Sequence, residues 1–320
     1  MKLPDVLCAL LVQVFWGLNF VAIKTSLDGF PPLALVALRF AMVASLILPF
    51  FRVERRVLSK LLLLSFTMGT LHFTLLVVGI SQIDAGTAGV LIQLGVPFAT
   101  ILAIVLYKEK IGPWRVIGLS VAFSGAIVLA GGPTLPSPFP AFIITVAAFA
   151  WAISNLIAKK IDNTHPLAVI GWTSFFACPQ VALWSALTET GQINALLTAP
   201  ATAWMGVLYS VLASSIAAYG LWYWLLQRHP VSAVVPFSLL NPVVAVTAST
   251  LALSEAITVW KVAGAVLTLS GVAIIFWRQA SHDRSAPLPL EEAPQTNSQE
   301  VEPEAEIELL DLQTPSQTKV

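Results

Sequence analysis

The sequence predicts an all-α integral membrane protein whose ten transmembrane helices form two inverted five-helix repeats. Three observations lead there: an apolar composition, evenly recurring apolar stretches, and a match between the two halves of the chain. The 320 residues are 57% hydrophobic and only 11% charged, with a mean hydropathy of +0.83. That is more apolar surface than a soluble core of this size hides, so the chain needs a lipid solvent. The apolar stretches are roughly 20 residues long, the length that spans a hydrocarbon core of about 30 Å at 1.5 Å per residue. Backbone groups in lipid must find partners within the segment, which selects helices, and the alternation of a membrane β-barrel is absent from the sequence.

Spans are expected near residues 6–26, 32–51, 61–82, 86–107 and 114–130, and near 139–158, 167–187, 203–226, 231–253 and 259–277. The first carries Trp16 and Asn19, lacks a small-residue cleavage site and is followed by further spans, so it is not a removable signal. Pro31-Pro32, Gly112-Pro113, Gly132-Pro133, Pro166, Pro200 and Pro230 fall between spans, where a missing N–H does least harm. Pro97, Pro179, Pro236 and Pro242 fall inside them. Cys8 and Cys178 have no metal-ligand spacing around them and are packing residues.

Charge sets the direction of the chain. Lys2, the group Arg52, Arg55, Arg56 and Lys60, then Lys108, Lys110 and Arg115, Lys159 and Lys160, Arg228, Arg278 and Arg284 all fall on one side of the expected topology. Asp28, Asp84, Glu189 and Glu255 fall on the other, with Lys24 and Lys261 the basic residues near them. Because cytoplasmic loops keep Lys and Arg, both termini are expected in the cytoplasm.

Two blocks carry the internal repeat. Trp16–Lys24 lies over Trp151–Lys159 at an offset of 135, which also brings Pro31 onto Pro166. Glu109, Trp114, Arg115, Gly118 and Gly125 coincide with Glu255, Trp260, Lys261, Gly264 and Gly271 at an offset of 146. With five helices in each copy, the second enters the membrane from the opposite side. Inverted repeats are a recurrent design of secondary transporters, since exchanging the conformations of the halves turns a site from one side to the other. The chain thus divides into a first repeat, 1–131, a second, 132–281, and a tail, 282–320. Gly and Ala dense around Gly86–Gly89, Gly118–Gly125 and Gly264–Gly271 let helices approach closely.

Polar side chains within the spans are the candidate site. Arg39 follows Pro32 by seven residues, about 10 Å down the second helix. An Arg at that depth faces a cavity or a partner, and its fork suits a carboxylate; a structural cation bonded to carbonyls is the alternative. His72 lies twelve residues into the third expected span, near its middle, and is the candidate for proton coupling or else an interhelical hydrogen-bonding group. No Asp or Glu occupies the middle of a span. Trp16 and Asn19, with Trp151, Ser154 and Asn155 in the other half, put aromatic and amide groups at equivalent depths. Gln93, Tyr219, Tyr223 and Asn241 add hydrogen-bonding groups, each of which alone is also explained by helix packing. Glu109 with Arg115 and Glu255 with Lys261 are positioned to anchor helix ends.

Trp16-Gly-Leu-Asn-Phe20, Lys24, Pro31-Pro32 and Leu38-Arg39-Phe40 resemble the first-repeat signature of the EamA-type transporters of the drug/metabolite transporter superfamily, over roughly residues 5–278. Lys108-Glu109-Lys110 with Gly118 and Gly125, and Ser254-Glu255 with Gly264 and Gly271, are similar to that family's later helix junctions. Within the family, Val235–Val244 and the Arg39 block most resemble the amino-acid metabolite exporters that handle O-acetylserine and cysteine. The resemblance implies ten helices, a central cavity between the repeats and export across a bacterial inner membrane. Two features depart from it. The family's Gly before Glu109 and Glu255 is Lys108 and Ser254 here, and the tail from His282, with nine acidic and two basic residues, is additional. That tail has the composition of a solvated cytoplasmic segment, with a short amphipathic stretch around Glu306–Leu312.

The expected function is therefore a secondary exporter of amino acids or related small polar metabolites, working by alternating access across the inner membrane. Trp16, Asn19, Arg39, Gln93, Trp151, Asn155, Tyr219 and Asn241 are the expected substrate-binding residues, and His72 the expected proton-coupling one. The expected partners are the solute, the bilayer and protons; no cofactor, metal or nucleic acid is called for, and the unit is a monomer or homodimer. An exporter of drugs with the same fold is the alternative, and a sensor or scaffold acting through its acidic tail a further one. An enzyme is not expected, since the chain has no His-Glu-x-x-His, no Gly-x-Ser-x-Gly and no intramembrane carboxylate pair. Deleting residues 282–320 separates carrier from scaffold: solute efflux from vesicles persists for a carrier, and loss of function without loss of efflux marks a scaffold.

Overall fold

The structure, a computed structural model, describes residues 1–82, 91–108, 112–129, 138–161, 163–253 and 259–285. All the regular structure among them is helical. Six helices are long and apolar enough to cross a membrane. These are α1 (Leu3–Leu27), α3 (Arg55–Gln82), α6 (Pro138–Lys159), α7 (Pro166–Thr188), α8 (Ala201–Arg228) and α9 (Val231–Ala252). Between and after them lie α2 (Pro32–Ile47), α4 (Ile92–Leu106), α5 (Pro113–Leu129) and α10 (Val259–Ser285), whose apolar stretches are shorter. Two compact units result, Met1–Gln279 and Ala280–Val320; in the second only residues 280–285 are described, as helix.

Proline placement explains the helix starts. α2, α5, α6 and α7 begin on a proline and α8 and α9 one residue after one, because the first turn has no intrahelical use for the N–H that proline lacks. Three of the four intraspan prolines obey the same rule. Pro97 and Pro242 stand in the first turn of α segments, Gly95–Tyr107 and Asn241–Leu253, and Pro236 is the second residue of the 3₁₀ stretch Val235–Leu240. Pro179 alone stands in a helix interior. Expected boundaries shift where such signals are missing: α2 stops at Ile47 rather than 51, and a 3₁₀ turn, Arg55–Val57, starts α3 earlier than 61. A short helix, Gln192–Thr198, was not expected.

α3 and α8 share a feature invisible in hydropathy. Each contains a nine-residue π-helical segment, Ser65–Phe73 and Ser210–Ala218, at an offset of 145. The repeat offset thus grows from 135 to 145 between the second and third helix of each half, where the second half holds the extra helix Gln192–Thr198.

Packing exchanges the halves. α2 packs on α7; α1 packs on α8 and α9, as α6 packs on α3 and α4. At the α5–α10 crossing, a Cβ on Gly125 would collide with Thr268, and one on Gly271 with Ala122. Subtracting 146 from 268 gives 122 and from 271 gives 125, so each contact maps onto the other. Thr268 Oγ1 also donates to Ala122 O at 3.4 Å.

Hydrogen bonds define the two ends of the bundle. At one, His229 meets Asp5 (3.0 Å), Lys60 Nζ donates to Lys160 O (2.6 Å) and Trp172 Nε1 to Phe51 O (3.2 Å). This gathers Lys2, Arg52, Arg55, Arg56, Lys60, Lys159, Lys160 and Arg228 at what is here termed the basic end. At the other, Ser26 Oγ donates to Ala203 O (3.2 Å), and the Glu189 carboxylate accepts from the N–H groups of Leu33 (2.8 Å) and Ala34 (3.0 Å). Glu189 thereby caps α2, placing an anion on its positive terminus.

At Lys108 the chain still makes the left-handed turn (φ 54°) that glycine favours. A side chain there costs about 1 kcal/mol. Lys108→Gly is accordingly expected to leave stability unchanged or raise it by up to about 1 kcal/mol, read as the thermal midpoint in detergent.

Candidate functional site

The middle of the bundle holds a partly open cavity of about 70 Å³. Trp16 and Asn19 reach it from α1, His72 from the π segment of α3, Gln93 from the first turn of α4 and Trp151 from α6. Tyr219 lines it from α8, and Ser238 and Asn241 from α9, where the 3₁₀ stretch around Pro236 passes into α-helix. Seven of the nine sequence-expected residues are thus brought to one space, from six helices.

Specific bonds orient Trp16, Asn19, Gln93 and His72 in the wall. Trp16 Nε1 donates to Ser214 O (3.4 Å), Asn19 Oδ1 accepts from Ser210 Oγ (2.7 Å), and Gln93 Nε2 donates to Ser238 O (2.8 Å). His72 Nδ1 lies 3.0 Å from Ala147 O. A carbonyl only accepts, so Nδ1 carries the proton and Nε2 of the neutral ring is the acceptor. Aromatic rings close the rest: Trp16 stands 4.7 Å from Tyr219 and 4.9 Å from Trp222, and Phe73 5.8 Å from Tyr219.

The two remaining expected residues lie outside the cavity, for different reasons. Asn155 uses both ends of its amide in packing: Nδ2 donates to Trp151 O (2.9 Å), and Oδ1 accepts from Trp222 Nε1 (2.7 Å). Arg39 stands directly behind the wall. Its side chain is 4% exposed, Nε donates to Ser215 Oγ (2.6 Å), Nη2 donates to Ser214 Oγ (3.1 Å), and Cζ sits 4.5 Å above the Phe73 ring. Ser214 and Phe73 themselves line the cavity, so one layer of atoms separates the guanidinium from it. Among the described residues it has no carboxylate partner. Two of its five N–H groups are bonded to hydroxyls, which leaves a cation that an incoming anion can satisfy.

Ser210, Ser214, Ser215 and Phe73 were not singled out from sequence. A small-residue run such as Ser210–Ala218 reads as helix packing, and the usable signal was three serines in an apolar span of a chain that also had to satisfy a buried Arg in its other half. The π segments that present them are the stronger structural mark, since π-helical turns concentrate at functional sites. Glu109, Glu255 and Asp84 lie outside the described residues, as do Gly86–Gly89 and the tail from 286. Among the described residues no cluster of His, Cys, Asp and Glu suits a metal ion.

A polytopic helical bundle with a polar, aromatic-walled cavity at its centre, built from matching helices of two halves, has the architecture of a membrane transporter. The chain belongs to the EamA-like transporter family, whose model matches it twice, over residues 3–131 and 138–277. It is 33% identical over 295 residues to a "Probable amino-acid metabolite efflux pump" of Escherichia coli (strain K12), covering 88% of this chain and 98% of that one. A protein of the same description from Salmonella typhimurium is 32% identical over 284 residues, 86% and 95% of the two chains. A "Probable terminal-alkyne amino-acid exporter" of Streptantibioticus cattleyicolor is 28% identical over 302 residues, 90% and 99%. One crystal structure of a protein superposes with a TM-score of 0.71 at 17% identity, covering 88% of this chain and all of that one; it shows the fold alone. The protein is thus a multi-pass membrane transporter.

Removing a hydroxyl from the Arg39 cradle leaves part of a buried charge unpaired. Ser215→Ala is expected to lower stability by about 1.5–3 kcal/mol, measured by thermal unfolding in detergent, and Ser215→Thr to recover most of it.

Proposed function

We propose that the protein exports amino acids or related carboxylated metabolites across the inner membrane by alternating access, with the solute carboxylate held at Arg39. The observation that carries this reading is the buried guanidinium, without an anionic partner among the described residues, one layer behind a polar cavity. The relatives' printed descriptions agree in naming amino-acid metabolites and an amino acid as cargo.

In this reading all ten helices span the membrane as two inverted repeats, and the basic end is cytoplasmic, following the positive-inside rule. The exchange of contacts between α1 with α8 and α9, and α6 with α3 and α4, supports the two-fold relation. The cavity, about 70 Å³, is well below the roughly 300 Å³ at which ligand pockets begin, so a metabolite enters only as the helices part. Swinging Ser214 or Phe73 aside opens Arg39 to the carboxylate, and Asn19, Gln93 and Asn241 supply hydrogen bonds to the remainder. Trp16, Trp151 and Tyr219 stack against its apolar part. His72, with Nε2 free to accept, takes up the proton if export is proton-coupled.

Efflux from proteoliposomes tests the role of Arg39. Arg39→Gln removes a charge-assisted bond and is expected to lower carboxylate efflux by about tenfold to a hundredfold while the protein remains inserted. Wild-type rates in that variant would take Arg39 out of the mechanism.

A further inference from the structure

The exchange of contacts between the halves is uneven, and one of the places where it breaks borders the cavity. α6 packs on the last part of α8, Tyr219–Arg228, whereas α1 and the matching last part of α3, Thr74–Gln82, are not packed together to a comparable degree. The cavity lies in that gap, reaching from Trp16 along α1 past Phe20 to Ile23 and along α3 to Leu76. At the basic end the corresponding space is filled by Trp222, bonded to Asn155, the residue that matches Phe20 at the offset of 135.

A pair of lysines marks the same asymmetry. Lys159 ends α6, and its Nζ donates to Leu226 O (3.0 Å) and His229 O (2.8 Å), tying α6 to the terminus of α8. There His229 also meets Asp5 of α1 at 3.0 Å. The bond satisfies orphan carbonyls and sets a cation on the negative end of a helix, two favourable terms for one side chain. Lys24 occupies the matching position in the last turn of α1, is exposed, and has no partner among the described residues. By the offset of 145 the counterpart of Leu226 is Ser81, in the last turn of α3, whose carbonyl is the matching acceptor; the counterpart of His229, Asp84, lies outside the described residues.

We propose that Lys159 and Lys24 are alternating latches: Lys159 holds the basic end shut as seen here, and Lys24 takes the terminal carbonyls of α3 when the opposite end shuts. The inference rests on the alternating-access reading and adds to it the residues that set the balance between its two states. Each lysine stabilises one state only, so removing either shifts the population away from that state.

The test uses full-length protein with Cys8 and Cys178 replaced by serine, and a reporter cysteine in place of Ala158, which is 3% exposed beside Lys159. A membrane-impermeant maleimide is applied from the basic end, in inside-out or right-side-out vesicles as the sidedness requires. Lys159→Met is expected to raise the labelling rate at least about threefold, and Lys24→Met to lower it at least about threefold. Lys159→Arg, which still reaches the carbonyls, should label as the parent does. Lys24→Met loses no contact of this state, so it decides the matter alone should Lys159→Met misfold. The proposal is overturned if Lys24→Met leaves labelling unchanged or raises it while solute efflux by the parent is intact. Absence of saturable efflux in the parent strikes the transport reading instead.

Discussion

A guanidinium buried among α2, α3 and α8 without a carboxylate constrains the structure around it. Placing Arg at mid-membrane depth costs about 2.5–3.5 kcal/mol on insertion scales, and the cost is met only by groups arranged for the purpose. Here they are two adjacent serine hydroxyls on the π segment of α8 and the face of Phe73 at the end of the π segment of α3. Within that π segment Ser214 and Ser215 both meet the one guanidinium, while Ser210 donates to Asn19. The cation is held by neutral partners, which stabilise it without cancelling its charge. In the proposed carrier, that residual charge is the affinity for the solute.

The departures from two-fold exchange are as informative as the exchange itself. Trp16 and Trp151 both line the cavity, but Asn19 does so while its neighbour in the equivalent helix, Asn155, is consumed by Trp222. Glu189 caps α2 at one end; Glu54, which matches it at the offset of 135, pairs with Arg56 instead. In the proposed carrier such differences are expected, since the two halves would occupy different positions of one cycle.

Much of the fold was legible because lipid imposes strong rules. Among the described residues the helix positions followed from apolar length, though only six helices are long and apolar enough to cross a membrane; helix starts followed from proline, and the match of α1 to α6 from Trp16–Lys24 against Trp151–Lys159. Polarity in apolar surroundings singled out His72, Gln93 and Asn241, which the structure brings to the cavity, and Arg39, which it places behind the wall. What sequence did not carry was backbone detail and state. Nothing in Ser65–Phe73 or Ser210–Ala218 announces a π-helix. The short helix Gln192–Thr198 was too brief to register, although the growth of the repeat offset from 135 to 146 recorded an insertion. That Asn155 packs against Trp222 while Asn19 faces a cavity is set by the tertiary neighbours of each, which neither residue's type announces.

A carrier with one central site differs from a channel in a kinetic signature, because its empty site must return before the next turnover. Counterflow in proteoliposomes measures this directly: vesicles loaded with unlabelled amino acid are diluted into a trace of the labelled one. The account expects transient accumulation of label inside, saturating with the external solute concentration. Uptake that follows the gradient alone, with neither overshoot nor saturation, would contradict a site that faces each side in turn.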